Sequence, residues 1–177
     1  MQPAGWLVLS LGISLLALTC NRRPEGKDRS YTSAVPAFSI SYPDRWQPEK
    51  PRYDHEVFRA TDPSALPSLA IDTYDPSEAN GIDEQYSDKF MKYLKFLFPR
   101  ASEFKLVAHD LVSLPDGTRA AQTCCEWTWE DGATRLASYN VSAVKDHRLV
   151  SVTCTGLQGT PSEQLARYPR TLSFARK

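Results

Sequence analysis

Most metal sites and most acid–base catalysis in proteins depend on histidine, and this chain of 177 residues has only three histidines. His55, His109 and His147 are far apart, with no His-x-x-x-His or Cys-x-x-Cys spacing. The sequence also lacks a glycine-rich phosphate-binding loop and a Gly-x-Ser-x-Gly motif. We therefore predict no catalytic residue, no metal site and no cofactor.

Carboxylates are frequent, and two of them facing each other could support hydrolysis by acid–base chemistry. Their spacing selects no particular pair. The acidic residues at positions 83, 84 and 88 are typical of the start and the exposed face of a helix. A hydrolase is therefore the least favoured alternative. The carboxylates considered are Asp72, Asp75, Asp83, Glu84, Glu126 and Asp131.

Three cysteines, Cys124, Cys125 and Cys154, fall in segments that alternate like β-strands. If Asp131-Gly132 and Asp146-His147 form successive hairpin turns, Cys124 and Cys154 both lie opposite Tyr139, on either side of its strand. They would then be about 9 to 10 Å apart, since strands are spaced by about 4.8 Å, and a disulfide needs Cα atoms within about 7 Å. We predict small, buried, unpaired thiols; the alternative is a reactive or redox-active thiol.

Trp127 and Trp129 share one face of a predicted strand with Cys125. Two indoles beside short polar side chains could form a platform for a ligand or a partner protein. The alternative is that the long helix or the terminal segment covers both indoles as part of the core. By the same register, the polar residues on this face are Ser138, Asn140, Ser142, Ser151 and Thr153.

The N-terminal segment has an apolar run of thirteen residues, from Trp6 to Leu18, that is followed by Cys20. About 20 apolar residues are needed to cross a bilayer, whereas about 7 to 15 form the core of a signal peptide. With Ala17 and Thr19 before the cysteine, the segment resembles a bacterial lipoprotein signal. That resemblance implies cleavage after residue 19 and lipid on Cys20. The alternatives are secretion after ordinary signal cleavage, or an uncleaved anchor.

The remaining chain separates into a tether and one domain. Residues 20–34 contain the lipidated cysteine followed by a polar, charged stretch that predicts a flexible tether. Residues 35–177 match a single domain in length. Alternating segments predict strands before and after an amphipathic helix over 81–98, and a second short helix begins near Pro161. The predicted class is α+β, with an antiparallel sheet flanked by helices on its faces.

Three features resemble the PsbP-like family, which includes PsbP and the DcrB-related envelope proteins. They are the opening strand Phe38–Tyr42 with Pro43 and Trp46, the long helix before an antiparallel meander, and the closing Leu172-Ser173-Phe174. The resemblance implies an α/β/α sandwich. Its members mostly bind or assemble other proteins, and the matched positions are structural, so no functional residue is carried over.

These patterns predict a lipid-anchored protein of the bacterial cell envelope that faces the periplasm. Asn21 after the lipidated cysteine favours the outer over the inner membrane. The 21 basic and 21 acidic residues cancel, which argues against nucleic-acid binding. The expected function is a non-catalytic binding or assembly module of unknown partner, with another envelope protein as the candidate. A periplasmic carrier of a small ligand is the main alternative.

Overall fold

A computed structural model describes residues 26–75, 82–83 and 85–175. Within these ranges the chain forms ten strands, two α-helices and a 3₁₀ turn over Pro169–Thr171. The strands are β1 (Asp28–Ala34), β2 (Ala37–Pro43), β3 (Gln47–Glu49), β4 (Glu56–Thr61), β5 (Ser68–Tyr74), β6 (Ser102–Ser113), β7 (Arg119–Thr128), β8 (Arg135–Lys145), β9 (Arg148–Leu157) and β10 (Ser173–Phe174). The helices are α1 (Tyr86–Leu97) and α2 (Ser162–Ala166).

The strands form two antiparallel sheets. The larger has seven strands in the order β3-β4-β5-β9-β8-β7-β6, and the smaller has three in the order β1-β2-β10. The predicted register of the meander is confirmed, because Cys124 pairs with Tyr139 and Tyr139 pairs with Cys154. Short turns between consecutive strands set this register, so it could be derived from the turn residues alone.

The predicted fold class, a sheet with helices on both faces, is wrong. Strand accounts for 52% of the described residues and helix for 14%. Helix α1 covers one face of the seven-stranded sheet, where its apolar residues Phe90 and Leu94 pack with Trp127. The opposite face packs against the smaller sheet and against α2, in one core that includes Phe38, Ile40 and Leu165. The five-residue α2 is too short to cover this face alone, and the alternating apolar face of β2 shares the task.

Helix α1 follows the predicted periodicity, but it begins later than predicted. Tyr86, Phe90 and Leu94 recur every four residues and are buried, and the helix ends just before Pro99. The predicted start at residue 81 lies outside the described residues. The apolar stripe fixes which side of α1 faces the sheet, and therefore which sheet residues lie beneath it.

The predicted tether is too long at its C-terminal end. Residues 28–34 form β1, which pairs along its whole length with β2. Only Tyr31 and Ser33 of this edge strand are partly buried, so a polar composition that suggested a tether is compatible with strand. The predicted signal segment and Cys20 lie outside the described residues. In the part of the chain that the structure describes, no helix has the length and hydropathy to span a membrane.

Candidate functional site

A cavity of about 470 Å³ lies between α1 and the seven-stranded sheet. This volume is within the range of small-molecule sites, about 300 to 1,000 Å³. The sheet provides a largely polar floor from β4, β5 and β9, and α1 provides a largely apolar wall. The floor residues are Arg59, Thr61, Ser68, Ala70, Asp72, Thr153 and Thr155, and the helix residues are Phe90, Tyr93, Leu94 and Leu97.

The sheet residues beneath α1 form a buried polar network. Asn140 Nδ2 donates to Ser151 Oγ at 2.8 Å and to Thr153 Oγ1 at 3.0 Å. Ser142 Oγ donates to Asn140 Oδ1 at 2.9 Å. Asn140 and Ser142 are inaccessible to solvent, so these bonds replace the water that the groups lose on folding. The register predicted that these residues share one face with Trp127, and that prediction is confirmed.

Trp127 and Trp129 line the apolar end of the cavity. Trp127 is only 4% exposed, stacks on Phe98 with ring centroids 4.8 Å apart, and donates from Nε1 to Ser138 Oγ at 3.1 Å. Trp129 is half-buried, and its ring centroid lies 5.6 Å from that of Trp127. The two indoles therefore form a wall beneath the end of α1 rather than an open platform.

The opposite end of the cavity carries buried charges. Glu56 on β4 lies directly opposite Asp72 on β5, and the two are only 4% and 8% exposed. Arg59 pairs with Glu56 through Nη2 and Oε1, 2.6 Å apart. Burial is the largest effect on Asp72, and together with the negative charge of Glu56 it raises the pKa of this carboxyl to about 7, against the opposing effect of Arg59.

Aromatic rings surround this charged end. The His55 ring lies between those of Tyr53 and Tyr74, with centroid distances of 5.5 and 5.2 Å. Tyr93 of α1 reaches down to the same ring, with its Oη 2.5 Å from His55 Nε2. Burial raises the pKa of Tyr93 and of Tyr74, so both phenols stay neutral.

The histidines do not converge. His55 belongs to the cavity cluster, His109 Nδ1 lies 3.1 Å from the carbonyl oxygen of Gln122, and His147 occupies the turn after β8 with a φ of 62°. Among the described residues, no group of three histidine, cysteine, aspartate or glutamate side chains is arranged to hold a metal ion.

The carboxylates singled out from sequence separate into different environments. Asp72 and Asp131 line the cavity, at opposite ends. Asp131 Oδ1 accepts hydrogen bonds from the backbone N–H groups of Ala133 and Thr134, so this carboxylate stabilises its own turn. Asp83 pairs with Lys89 at the surface. Asp75 is exposed, and the Oε2 atom of Glu126 accepts a hydrogen bond from Gln158. Glu84 lies outside the described residues.

Cys124 and Cys154 flank Tyr139 from its two neighbouring strands, and all three described thiols are unpaired. Burial raises the pKa of Cys125 and of Cys154 to about 12. Both thiols are therefore protonated at neutral pH, and they lack the thiolate that a nucleophile requires.

Sequence reasoning missed the charged end of the cavity as a unit. Glu56 and Arg59 were not singled out, and Asp72 was one carboxylate among six. A signal was present, because Arg59 and Asp72 are charged residues with apolar neighbours within their strands, and charge is rarely buried without a partner. What the sequence did not provide was the pairing of β4 with β5 or the position of α1 above them.

No family model matches the chain, and neither does the sequence of any curated protein. Solved structures do resemble it. The solution structure of cyanobacterial PsbP (CyanoP) from Synechocystis superposes with a TM-score of 0.68 at 11% identity, covering 89% of this chain and 98% of CyanoP. A crystal structure of a protein from Bacteroides thetaiotaomicron gives 0.52 at 15% identity, covering 86% of this chain and 50% of that one. At these identities the likeness concerns architecture alone, and the fold of this chain is PsbP-like.

Proposed function

We propose that this protein is a non-catalytic binding module that faces the periplasm, is held on a bacterial envelope membrane by lipid on Cys20, and takes a small ligand into the cavity beneath α1. The observation that carries the proposal is the cavity itself, with a polar floor and an aromatic wall. Few precisely placed polar groups among apolar ones are typical of small-molecule sites.

The groups around the cavity favour binding over catalysis. Nucleophilic catalysis needs a hydroxyl or thiol that a neighbouring base can deprotonate. The His55 ring nitrogen instead lies against the phenol of Tyr93, whose pKa is raised by burial, and 3.8 Å from Asp72. A two-carboxylate hydrolase needs both groups to reach its substrate. The Glu56 side chain is fully enclosed and paired with Arg59, so only Asp72 faces the cavity at that end.

The proposed anchor and the position of β1 together limit how far the domain extends from the membrane. From Cys20 to Asp28, where β1 begins, the chain has eight peptide steps. Eight extended residues span at most about 25 to 30 Å. Such a short connection would keep the domain close to the bilayer surface, where apolar ligands concentrate.

The test is to purify the anchored protein from its host and to measure by native mass spectrometry whether a small molecule remains bound. Ala70→Phe places a ring on the cavity floor and is expected to remove the bound mass. Ala108→Phe is the matched control, because Ala108 is exposed on β6 outside the cavity. If the wild-type protein carries no ligand, or if Ala70→Phe retains it, the cavity does not perform this function.

A second candidate function, assembly with another envelope protein, is supported by an exposed apolar surface. Phe96 on α1 is 79% exposed, and Leu106 and Val107 are exposed on β6. Strand β6 is an edge of the seven-stranded sheet, and an unpaired edge can accept a strand from a partner. Cross-linking in the host tests this role. A recurrent partner that Val107→Asp loses, and that Ser113→Asp at the exposed far end of the same strand retains, would support it.

A further inference from the structure

The charged end of the cavity carries an excess of negative charge. Glu56 and Asp72 are buried on adjacent strands, and Arg59 is the cation between them. Arg52 also lines this end, but it is largely exposed and bonds to Glu49 through Nη2 at 3.2 Å. With both buried carboxylates ionised, one negative charge remains without a cation, and burying such a charge is costly.

Of these two carboxylates, Asp72 is the one that can still accept hydrogen bonds from a ligand. Glu56 forms an ion pair with Arg59 at 2.6 Å and accepts a hydrogen bond from the backbone N–H of Arg52. For Asp72, the nearest ionisable side chain of opposite type among the described residues is His55, whose Nε2 lies 3.8 Å from Oδ1. That distance is too long for a hydrogen bond. Asp72 also lines the cavity, so a ligand group can reach the carboxylate from inside.

Aromatic rings line the same end. Tyr53 and Tyr93 both belong to the cavity wall near Asp72. Neutral tyrosine rings attract a cation that lies over their faces, and this attraction strengthens where water is excluded. A carboxylate without a donor, enclosed by tyrosine rings, is the environment that suits a protonated amine.

The rest of the cavity suits an apolar body. Leu94 and Leu97 of α1 line the wall, and Phe98 and Trp127 stack against each other at the far end. Positions along β8 give the distance between the two ends of the cavity. Ser142 belongs to the cross-strand row of Asp72, and Leu136 at the far end is six residues away along β8. Six strand residues span about 20 Å, so an elongated ligand fits better than a compact one.

We propose that the cavity binds a cationic amphiphile, with its protonated amine on the Asp72 carboxylate and its elongated apolar body along α1 towards Trp127. This inference rests on the proposed function and specifies its ligand class. An anionic ligand is disfavoured, because Arg59 is already paired with Glu56 and the incoming anion would meet the Asp72 carboxylate.

The experiment compares three probes of the same shape: phenylbutylamine, phenylbutanol and phenylbutyrate. The anchored full chain is reconstituted in nanodiscs of zwitterionic lipid, with empty nanodiscs as blanks, and binding is measured by titration calorimetry. The amine is expected to bind about tenfold more tightly than the alcohol, and the acid most weakly. Asp72→Asn is expected to remove the advantage of the amine. Asp110→Asn, an exposed change on β6, is expected to preserve it.

A second measurement needs no variant. The groups that face Asp72 are Glu56 and Arg59 of β4, the neighbouring His55, Tyr74 of its own strand, and Tyr86 and Tyr93 of α1. The pKa of Asp72 is raised to about 7, whereas an alkylamine stays protonated throughout. The ratio of amine to alcohol affinity is therefore expected to rise from about pH 6 to about pH 8.

The outcomes separate this inference from the proposed function. Equal binding of amine and alcohol, or tightest binding of the acid, would overturn the inference that the ligand is an amine. The cavity would then remain a ligand site of another class. A flat pH dependence of the affinity ratio also overturns the amine. If no probe binds while a native ligand is recovered from the host protein, the inferred class alone fails. If no probe binds and no native ligand is recovered, both proposals fail.

Discussion

Trp127 on β7 donates a buried hydrogen bond from its indole Nε1 to Ser138 Oγ on β8, with the two atoms 3.1 Å apart. The serine hydroxyl in turn lies 2.9 Å from Thr155 Oγ1 on β9. Three central strands are thus linked by side chains beneath α1. The bond also holds the Trp127 ring against Phe98, at the apolar end of the cavity.

Ser138→Ala is expected to lower the free energy of unfolding by about 1 to 3 kcal/mol, because it leaves a buried indole N–H without an acceptor. Urea denaturation measures this loss. Ser113→Ala, at the exposed end of β6, provides a matched control with a change close to zero. Equal stabilities of the two variants would show that the indole bond contributes nothing.

The two tryptophans are expected to differ in their contribution to stability. Trp127→Ala removes a ring that is only 4% exposed and is expected to cost about 3 to 5 kcal/mol. Trp129→Ala removes a half-buried ring, so it is expected to cost less and to act mainly by weakening ligand retention. Chemical denaturation together with native mass spectrometry separates the two effects. The reverse order of stabilities would contradict this assignment.

The buried Asp72 carboxyl predicts a loss of stability with rising pH. Its folded-state pKa, about 7, is above the ordinary value of 3.8. Between these values the folded protein binds more protons than the unfolded one, so raising the pH from about 4 to about 7 lowers the free energy of unfolding.

Asp72→Asn removes this titration and is expected to be more stable than the wild type at about pH 8, by about 2 kcal/mol. The quantity to measure is the difference between the two proteins in urea midpoints across the pH range, because other groups titrate equally in both. Asp110→Asn is expected to follow the wild type. A difference that does not change with pH would show that Asp72 is not perturbed.

The three described thiols are expected to react with an alkylating reagent in a fixed order. Cys124 is half-buried, whereas Cys125 and Cys154 are buried, and their pKa is raised to about 12. Cys124 should therefore be labelled first in the folded protein, and all three at similar rates in denaturant. Peptide mass spectrometry gives the order. A disulfide between Cys124 and Cys154 would contradict the strand register.

Cys20→Ser tests the proposed anchor. The variant is expected to incorporate no fatty acid in metabolic labelling and to leave the membrane fraction, because the lipid supplies the binding energy. Cys124→Ser is the matched control and should stay lipidated and membrane-bound. Retention of Cys20→Ser on the membrane would mean that another feature holds the protein there.

Local patterns were reliable where neighbouring segments of the chain decide the structure. The turn at Asp131-Gly132 sufficed to place Cys124 opposite Tyr139, because a short hairpin leaves no freedom in its register. The four-residue spacing of Tyr86, Phe90 and Leu94 located α1 and its buried side. The meander and its polar face beneath the helix were therefore predictable.

The packing on the face of the seven-stranded sheet opposite α1 depends on segments that are distant in the sequence. The sequence alone determined that β2 is amphipathic and that the chain ends in a short apolar segment, but not that these would pair as a small sheet with β1. The polar residues 28–34 look like a tether because an edge strand buries few side chains. Only the tertiary structure could distinguish these outcomes, since the hydrogen bonds of β1 depend on where β2 lies.

The candidate site depends on the tertiary structure for the same reason. Residue types and alternation determined that Trp127 shares a face with Ser138 and Asn140, and that no familiar catalytic motif is present. They did not determine that Glu56, Arg59 and Asp72 meet, because strand pairing brings β4 against β5. The cavity exists because α1 lies over the sheet while leaving part of the floor of β4, β5 and β9 uncovered. Such a gap is a property of packing between distant elements, which local sequence does not encode.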